Sequence, residues 1–250
     1  MGRFDGKVAL ITGAASGMGR AVSVRLAAEG AEVFGLDVNT EGLAGTAAEI
    51  ARSGGRMETH HCDLGSVAGC RQAAANCVDT FGRIDVLGNI AGLSWQERVA
   101  DVTEEGWDRM FGANVKGVFF LTQAALPHLL ASGGNIVNIA SNAGLQGLAY
   151  TATYCATKGA VVQLTKALAM ELAKTEVRVN AIAPGGVDTP MTQNFNLVTD
   201  PDPHFIRRMM AFKPMGRPEH IAALFAFVAS DDCPVIHGAI LSADGGLTTG

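Results

Sequence analysis

A doubly wound α/β fold, a single parallel sheet of about seven strands with helices on both faces, is the architecture this sequence predicts. Three observations carry the prediction. Short apolar runs alternate with helix-like segments from one end of the chain to the other. A glycine-rich stretch, Thr12 to Arg20, separates the first apolar run from the first helical segment. With 250 residues, 48% of them hydrophobic and 17% charged, the chain holds enough apolar material for a large buried core.

Val8–Ile11 reads as the first strand and Gly19–Ala28 as the helix after it. Ala31–Leu36 with Glu41–Ala51, and Met57–His61 with Val67–Phe81, repeat the pair. The strand runs are short and the helical runs reach about ten residues or more, the lengths that tell the two apart. Asp85–Ile90 is a further strand, and Glu104–Leu130 forms one long helix or two. Asn135–Ala140 is a strand, Tyr154–Ala173 a helix, Val177–Ala183 a strand, Ile221–Ala229 a helix and Ala239–Ser242 the last strand. Strands and helices alternating in this way give a parallel sheet with both faces covered.

No linker, repeat or low-complexity tract divides the chain, so residues 1–250 are expected to form one domain. Its main irregularity is Thr189–Pro214, where Pro190, Pro201, Pro203 and Pro214 break regular structure and Asn194, Asn196, Asp200 and Asp202 favour turns. Met191, Phe195, Phe205, Met209, Met210 and Phe212 make this insertion more apolar than a solvated loop requires. A lid at about 189–214, over a ligand site, is the expectation.

Composition excludes several function classes. The net charge of −5, with basic residues scattered along the chain, argues against nucleic acid as a partner. No apolar stretch reaches the roughly 18 residues of a membrane span, and a strand-like run follows the N-terminus at once. A cytoplasmic protein without a membrane partner is expected. The cysteines Cys62, Cys70, Cys77, Cys155 and Cys233 form no Cys-x-x-Cys pair and are odd in number, which favours free thiols. His60, His61, Cys62 and Asp63 resemble metal ligands by type, but successive strand residues face opposite ways and cannot converge on one ion. No metal is expected.

The loop after the first strand is Thr12-Gly13-Ala-Ala-Ser16-Gly17-Met18-Gly19. Its glycines permit a tight turn and close backbone approach, and the helix N-terminus beyond them presents unpaired N–H groups to a pyrophosphate. Asp37 ends the second strand at close to the roughly 20-residue spacing expected of an acid that binds the adenosine ribose. Strand, loop, helix and acid together indicate a Rossmann-type dinucleotide site. The Asp37 carboxylate accepts from 2′ and 3′ hydroxyls and repels a 2′-phosphate. No lysine or arginine lies between Val38 and Ala51, and Ala14 and Ala15 supply no cation, so NAD is favoured over NADP.

Tyr154 and Lys158 stand four residues apart in a helical segment, which puts both side chains on one face. Tyr150, the chain's other tyrosine, has no such lysine. Together with Ser141 upstream, the pair offers a phenol, an ammonium and a hydroxyl for proton transfer.

These residues closely resemble the short-chain dehydrogenase/reductase family over nearly the whole chain. Thr12 to Gly19 is similar to the family's Thr-Gly-x-x-x-Gly-x-Gly loop, Asp63-Leu64 to its adenine-contacting pair, and Asn89-Ile90-Ala91-Gly92 to its Asn-Asn-Ala-Gly segment. Asn114 falls at the family's active-site asparagine, Ser141 at its serine and Tyr154-x-x-x-Lys158 at its signature. Pro184-Gly185, then Val187 and Thr189, match the segment that holds the nicotinamide carboxamide. Ile90 departs from the pattern, where a second asparagine is usual, and this leaves the hydrogen bonding of that strand end open.

The resemblance implies hydride transfer between a secondary alcohol or ketone and a nicotinamide, with Tyr154 exchanging the hydroxyl proton. Free tyrosine titrates near 10, so a base working at neutrality needs its pKa brought down by roughly 2 to 3 units. The Lys158 ammonium and the oxidised nicotinamide are the expected agents. Lys158 would also bind the nicotinamide ribose, Ser141 would orient the substrate oxygen, and Asn114 would link the lysine to solvent through a water.

An NAD-dependent alcohol dehydrogenase or carbonyl reductase is the leading function. A 3-oxoacyl thioester reductase shares the motifs but usually takes NADPH, against which Asp37 counts. A catalytically silent nucleotide sensor on the same fold is the reading from another class. Substrate selection is expected from Leu93–Arg98, Asn142–Tyr150 and the insertion, with Trp95 and Gln146 pointing to a partly nonpolar substrate. Arg207 and Arg208 read as a solvated helix face. The resemblance also implies a homotetramer, for which Glu104–Leu130 and Tyr154–Ala173 carry suitable small and apolar residues.

Overall fold

The computed structural model describes residues 2–193, 197–211 and 213–249. Asn194, Phe195, Asn196 and Phe212 of the insertion therefore lie outside the described residues. The strands are β1 (Val8–Thr12), β2 (Glu32–Asp37), β3 (Arg56–His61), β4 (Val86–Asn89), β5 (Asn135–Ile139), β6 (Arg178–Pro184) and β7 (Ile240–Ala243). They form one sheet in the order β3-β2-β1-β4-β5-β6-β7, and every neighbouring pair is parallel. The chain winds outward from β1 to β3, then crosses back to β4 on the other side of β1. The crevice beyond the carboxyl ends of β1 and β4 is the topological switch point, where open α/β sheets bind ligands.

The expected strands agree with these to within one residue at each end. All of β1 is buried, as a central parallel strand requires. Val8 and Leu10 pack on one face with Phe34, Leu87 and Leu121, and Ala9 and Ile11 on the other with Val22, Leu26 and Phe225. Leu10 and Phe225 are fully buried, and each such side chain contributes about 1.5–3 kcal/mol. By contrast, β3 at the sheet edge is largely exposed and polar. Its Arg56 donates to Glu32 Oε1 on β2 (2.9 Å).

Helices α1 (Gly17–Ala28) and α2 (Thr40–Arg52) cover the first face, that of Ala9 and Ile11, and α3 (Val67–Phe81) covers the second, that of Val8 and Leu10. The segment that reads as one helix or two is α4 (Glu104–Phe111) and α5 (Gly117–Ser132), joined by a π-helical turn at Gly112–Lys116. That wide turn holds Asn114. Helix α6 (Ala152–Leu172) lies beside α5 on the second face and starts two residues before Tyr154.

The prolines expected to interrupt the insertion instead begin two short helices, α7 (Pro190–Gln193) and α8 (Pro203–Arg208). A proline at the first helical position loses nothing, because its missing N–H would be unpaired there anyway. Asp202 caps α8 by accepting from His204 N–H (2.8 Å). Pro218 similarly begins α9 (Pro218–Ala229), ahead of the expected Ile221. Among the described residues no helix is long and apolar enough to cross a membrane.

Candidate active site

A cavity of about 1080 Å³ opens at the switch point, and the glycine loop forms one wall. Gly13, Ser16, Gly17, Met18 and Gly19 all line it. Gly13 has φ +71°, and a Cβ there would stand 3.1 Å from the Ala91 backbone. A Cβ on Gly19 would fall 2.1 Å from Gly13 O, so the first turn of α1 can close on the loop only as glycine. Ser16 sits at the N-cap of α1 but its side chain makes no capping hydrogen bond, and the first turn carries no acid. The helix therefore offers unpaired N–H groups and a free hydroxyl to an anion in the cavity. This donor set fits a dinucleotide pyrophosphate.

Asp37, Asp63 and Leu64 line the same cavity. Asp37 is held at the end of β2 by two backbone donors, Ala15 N–H to Oδ2 (3.2 Å) and Asn39 N–H to Oδ1 (3.0 Å). Each oxygen keeps a lone pair for a ligand hydroxyl. Asp63 accepts from Gly65 N–H (2.8 Å).

Thr12, immediately before Gly13, ties β1 to the end of β4. Its Oγ1 donates to Gly88 O (3.2 Å) and accepts from Ile90 N–H (2.8 Å) and Ala91 N–H (3.0 Å). The departure at Ile90 thus leaves its backbone paired, while its side chain joins the apolar core. Ala91 and Gly92, presented by this bracket, line the cavity.

Asn89 is held by its neighbours at the end of β4. Its side chain does not line the cavity, because both amide donors are used at Thr122 Oγ1 (3.1 Å) and Asn138 Oδ1 (2.8 Å), and Asn138 donates on to Thr165 (2.9 Å). It supports the strand ends from beneath. Pro184, Gly185 and Val187 also stand outside the cavity wall, whereas Thr189 belongs to it. Gly185 donates to Ala243 O (3.2 Å), and Val187 bridges to Gly216 at the neck of the insertion.

Asn114, Ser141, Tyr154 and Lys158 converge behind Gly92, which lines the cavity while these four stand just outside its wall. A Cβ on Gly92 would lie 3.1 Å from Asn114 Oδ1 and 3.6 Å from Lys158 Nζ. Asn114 is fully buried and its amide clasps Leu93, accepting from its N–H (2.7 Å) and donating to its carbonyl (2.9 Å). The second amide proton goes to Thr157 Oγ1 (3.1 Å), which itself donates to Tyr154 O (2.8 Å). Both donors of the Asn114 side chain are thus used by the protein, which leaves only an acceptor site for the expected water. Thr157 is a positioning residue that no spacing in the sequence marks.

Ser141 follows β5, accepts from Ala143 N–H (3.1 Å) and donates to Asn142 Oδ1 (3.1 Å). Lys158 Nζ lies 5.8 Å from the Tyr154 ring centroid, and its ammonium donates to Ile139 O (2.7 Å).

Without nucleotide, the electrostatics of the pair run opposite to the lowering expected of lysine and oxidised nicotinamide together. Burial pushes the Tyr154 phenol above the ordinary tyrosine range, and the Ser141 hydroxyl only partly opposes it. Burial likewise brings Lys158 down to about 8. Lys158 is turned towards Ile139 and is itself desolvated, so without nucleotide it does not bring the phenol down. Neutral phenol is the resting form.

The described chain has no ion-ligand cluster among its histidines, cysteines and acids, and all five thiols are free. The hydrogen bond to Cys70, with burial behind it, raises the pKa of the Cys62 thiol, and burial raises that of Cys77 to about 12.

Residues 13–248 match the family model described as enoyl-(acyl carrier protein) reductase. The chain is 40% identical over 250 residues to meso-2,3-butanediol dehydrogenase of Serratia marcescens, covering 98% of this chain and 96% of that one. It is 36% identical over 250 residues to a 3-oxoacyl-[acyl-carrier-protein] reductase of Thermotoga maritima, covering 98% and 99%. Carveol dehydrogenase from Mycobacterium avium, solved in complex with NAD, superposes with a TM-score of 0.91 at 31% identity over 100% of both chains. A short chain dehydrogenase from Burkholderia cenocepacia in complex with NADP gives 0.89 at 32% identity over 98% and 99%. Sheet order, glycine loop and likeness over the full length agree, and the chain belongs to the short-chain dehydrogenase/reductase family.

Proposed function

We propose that this oxidoreductase, which acts on CH–OH groups, uses NAD to interconvert a secondary alcohol and its ketone, with Tyr154 exchanging the hydroxyl proton. The observation that carries the reading is one continuous cleft. It runs from the Asp37 carboxylate at the end of β2, past the glycine loop, to Gly92, beside which Lys158 stands with Tyr154 and Ser141. A nicotinamide bound there supplies or accepts the hydride. Asp37 receives the ribose hydroxyls and repels a 2′-phosphate.

The protein's own groups then divide the work. Ser141 positions the substrate oxygen and stabilises charge developing on it. Tyr154, kept protonated by burial, is ready to donate to a carbonyl. In the oxidising direction it must lose that proton, which positive charge beside it favours. Lys158 contributes part of that charge and binds the nicotinamide ribose. Asn114 holds Leu93 and α6 in register rather than touching substrate.

Residues 1–250 act as one domain, with the insertion at 189–214 as its substrate lid. The free thiols are in keeping with a cytoplasmic setting. Exposed Trp107, Phe119 and Met170 on α4, α5 and α6 favour a homotetramer. The relationship to the Thermotoga reductase keeps a 3-oxoacyl thioester in view as substrate. Steady-state rates on secondary alcohols, ketones and a 3-oxoacyl thioester, each with NAD(H) and NADP(H), test the reading. Preferred turnover of a simple alcohol or ketone with NAD(H) is expected. Turnover confined to the thioester with NADPH refutes both the nucleotide and the substrate assignment.

A further inference from the structure

Two side chains that flank the site without belonging to it grip the insertion. Arg98 ends the segment that leaves Gly92, and its Nη2 donates to the carbonyls of both Thr199 (3.1 Å) and Asp200 (3.0 Å). The Tyr150 hydroxyl accepts from Asp202 N–H (3.0 Å). The two grips are joined, because the Arg98 guanidinium lies 5.5 Å over the Tyr150 ring and Phe205 of α8 meets that ring edge-on at 6.3 Å.

Tyr150 holds this pose at φ +61°, and Asp200 at φ +50°. Such backbone is unfavourable for a non-glycine residue and persists only where the surroundings enforce it. The base of Tyr150 is also fixed, since its carbonyl accepts from Glu97 N–H (2.8 Å), and Thr153 donates to Glu97 Oε1 (3.2 Å). Arg98 and Tyr150 thus sit on two segments tied to each other at the start of α6, the helix that carries Tyr154. At its other end the insertion is pinned at the neck, where Asp188 N–H donates to Gly216 O (2.9 Å) and Gly216 N–H to Gly186 O (2.8 Å). Between neck and grip, Thr189, Pro190 and Met191 line the cavity.

We propose that Arg98 and Tyr150 form a clasp that holds residues 199–205 down on the substrate side of the cleft, making them positioning residues for substrate but not for nucleotide. The consequence for catalysis rests on the function proposed above; the clasp itself does not. It divides the chain's two tyrosines by role. Tyr154 meets the reacting oxygen, and Tyr150, four residues earlier, uses its hydroxyl to hold the segment that covers the substrate.

The test uses Tyr150→Phe, which keeps the ring and its two stacking partners and removes only the acceptor, and Arg98→Met, which keeps chain length and removes both donor bonds. Hydrogen exchange followed by mass spectrometry reads the clasp in the full-length protein without substrate. Exchange over 199–208 is expected to quicken about fivefold in Tyr150→Phe, the size of one net hydrogen bond, and further in Arg98→Met, with β1 and α6 unchanged. Kinetics with NADH and the best ketone of the panel should show KM for the ketone raised about fivefold in Tyr150→Phe, with the NADH dissociation constant within twofold of the parent. Unchanged exchange over 199–208 in Tyr150→Phe overturns the clasp whether or not any ketone is turned over. Faster exchange there with an unaltered ketone KM, or a matching loss of NADH affinity, overturns its role in substrate positioning. Should Arg98→Met fail to fold, the single-atom change at Tyr150 still decides the outcome.

Discussion

Replacing Lys158 by methionine is expected to stabilise the folded chain at pH 7 while removing its activity. The side chain is 4% exposed, and burial alone lowers its pKa from an ordinary 10.5 to about 8. A folded-state pKa below the unfolded one means that the unfolded chain binds the proton more tightly. The penalty is therefore full below pH 8, declines as pH rises from 8 to 10.5, and is gone above that range. At about 1.4 kcal/mol per pH unit it amounts to roughly 3 kcal/mol. The variant also takes the ammonium away from Ile139 O, at a cost of about 1–2 kcal/mol. A net gain of about 1–2 kcal/mol remains at pH 7, or about 2–8 °C in Tm for a chain of this length.

Thermal unfolding without nucleotide, followed by circular dichroism at one fixed protein concentration, gives the readout at pH 7, 8.5 and 10. The advantage of the variant should shrink through that series, and above pH 10.5 the parent should be the more stable by its extra hydrogen bond. A variant that is less stable at pH 7, or a difference that does not move with pH, would refute the argument that this lysine is held against a desolvation penalty.

Tyr154→Phe should bind NADH as the parent does, by fluorescence titration, yet lose about 10²–10⁴ in kcat; a kcat within tenfold of the parent removes Tyr154 as the proton carrier. Because burial raises the phenol pKa, alcohol oxidation by the parent should gain rate with rising pH while ketone reduction falls, and parallel profiles would contradict this. Asp37→Ser gives up a charged acceptor and its repulsion of a 2′-phosphate, so the NADH to NADPH ratio of kcat/KM should drop about 100-fold, the worth of two charge-assisted bonds. An unaltered ratio would mean that discrimination lies elsewhere. Thr12→Val matches the shape but strips the partner from Ile90 and Ala91 N–H; urea titration should find it about 2–4 kcal/mol less stable, and a loss under 0.5 kcal/mol would show that the bracket is not needed.

The strand and helix sequence was legible because each apolar run has one period and one length, and local pairing answers to both. Errors collect where a local signal has two outcomes. Proline breaks a helix from within but begins one at its first position, so Pro190 and Pro203 read as interruptions and start helices instead. Glu104–Leu130 has helical periodicity throughout, and nothing in that periodicity marks the π-turn that carries Asn114. Asn89 illustrates the limit for single residues, since an amide at a strand end can face ligand or neighbour, and here Thr122 and Asn138 take its donors.

The amino-acid order by itself determined the doubly wound sheet, the glycine loop and the pairing of Tyr154 with Lys158, all of which rest on spacing along one strand, turn or helix. Tertiary structure alone decided the rest. It brought Thr12 to Ala91 and Asn114 to Leu93, and it set Arg98 and Tyr150 on the insertion. It also turned the Tyr154 phenol upward when a neighbouring lysine suggested the opposite. Charge type and spacing are written in the chain, but a pKa depends on how much water the fold removes from around a group, and that is settled only when distant segments close over it.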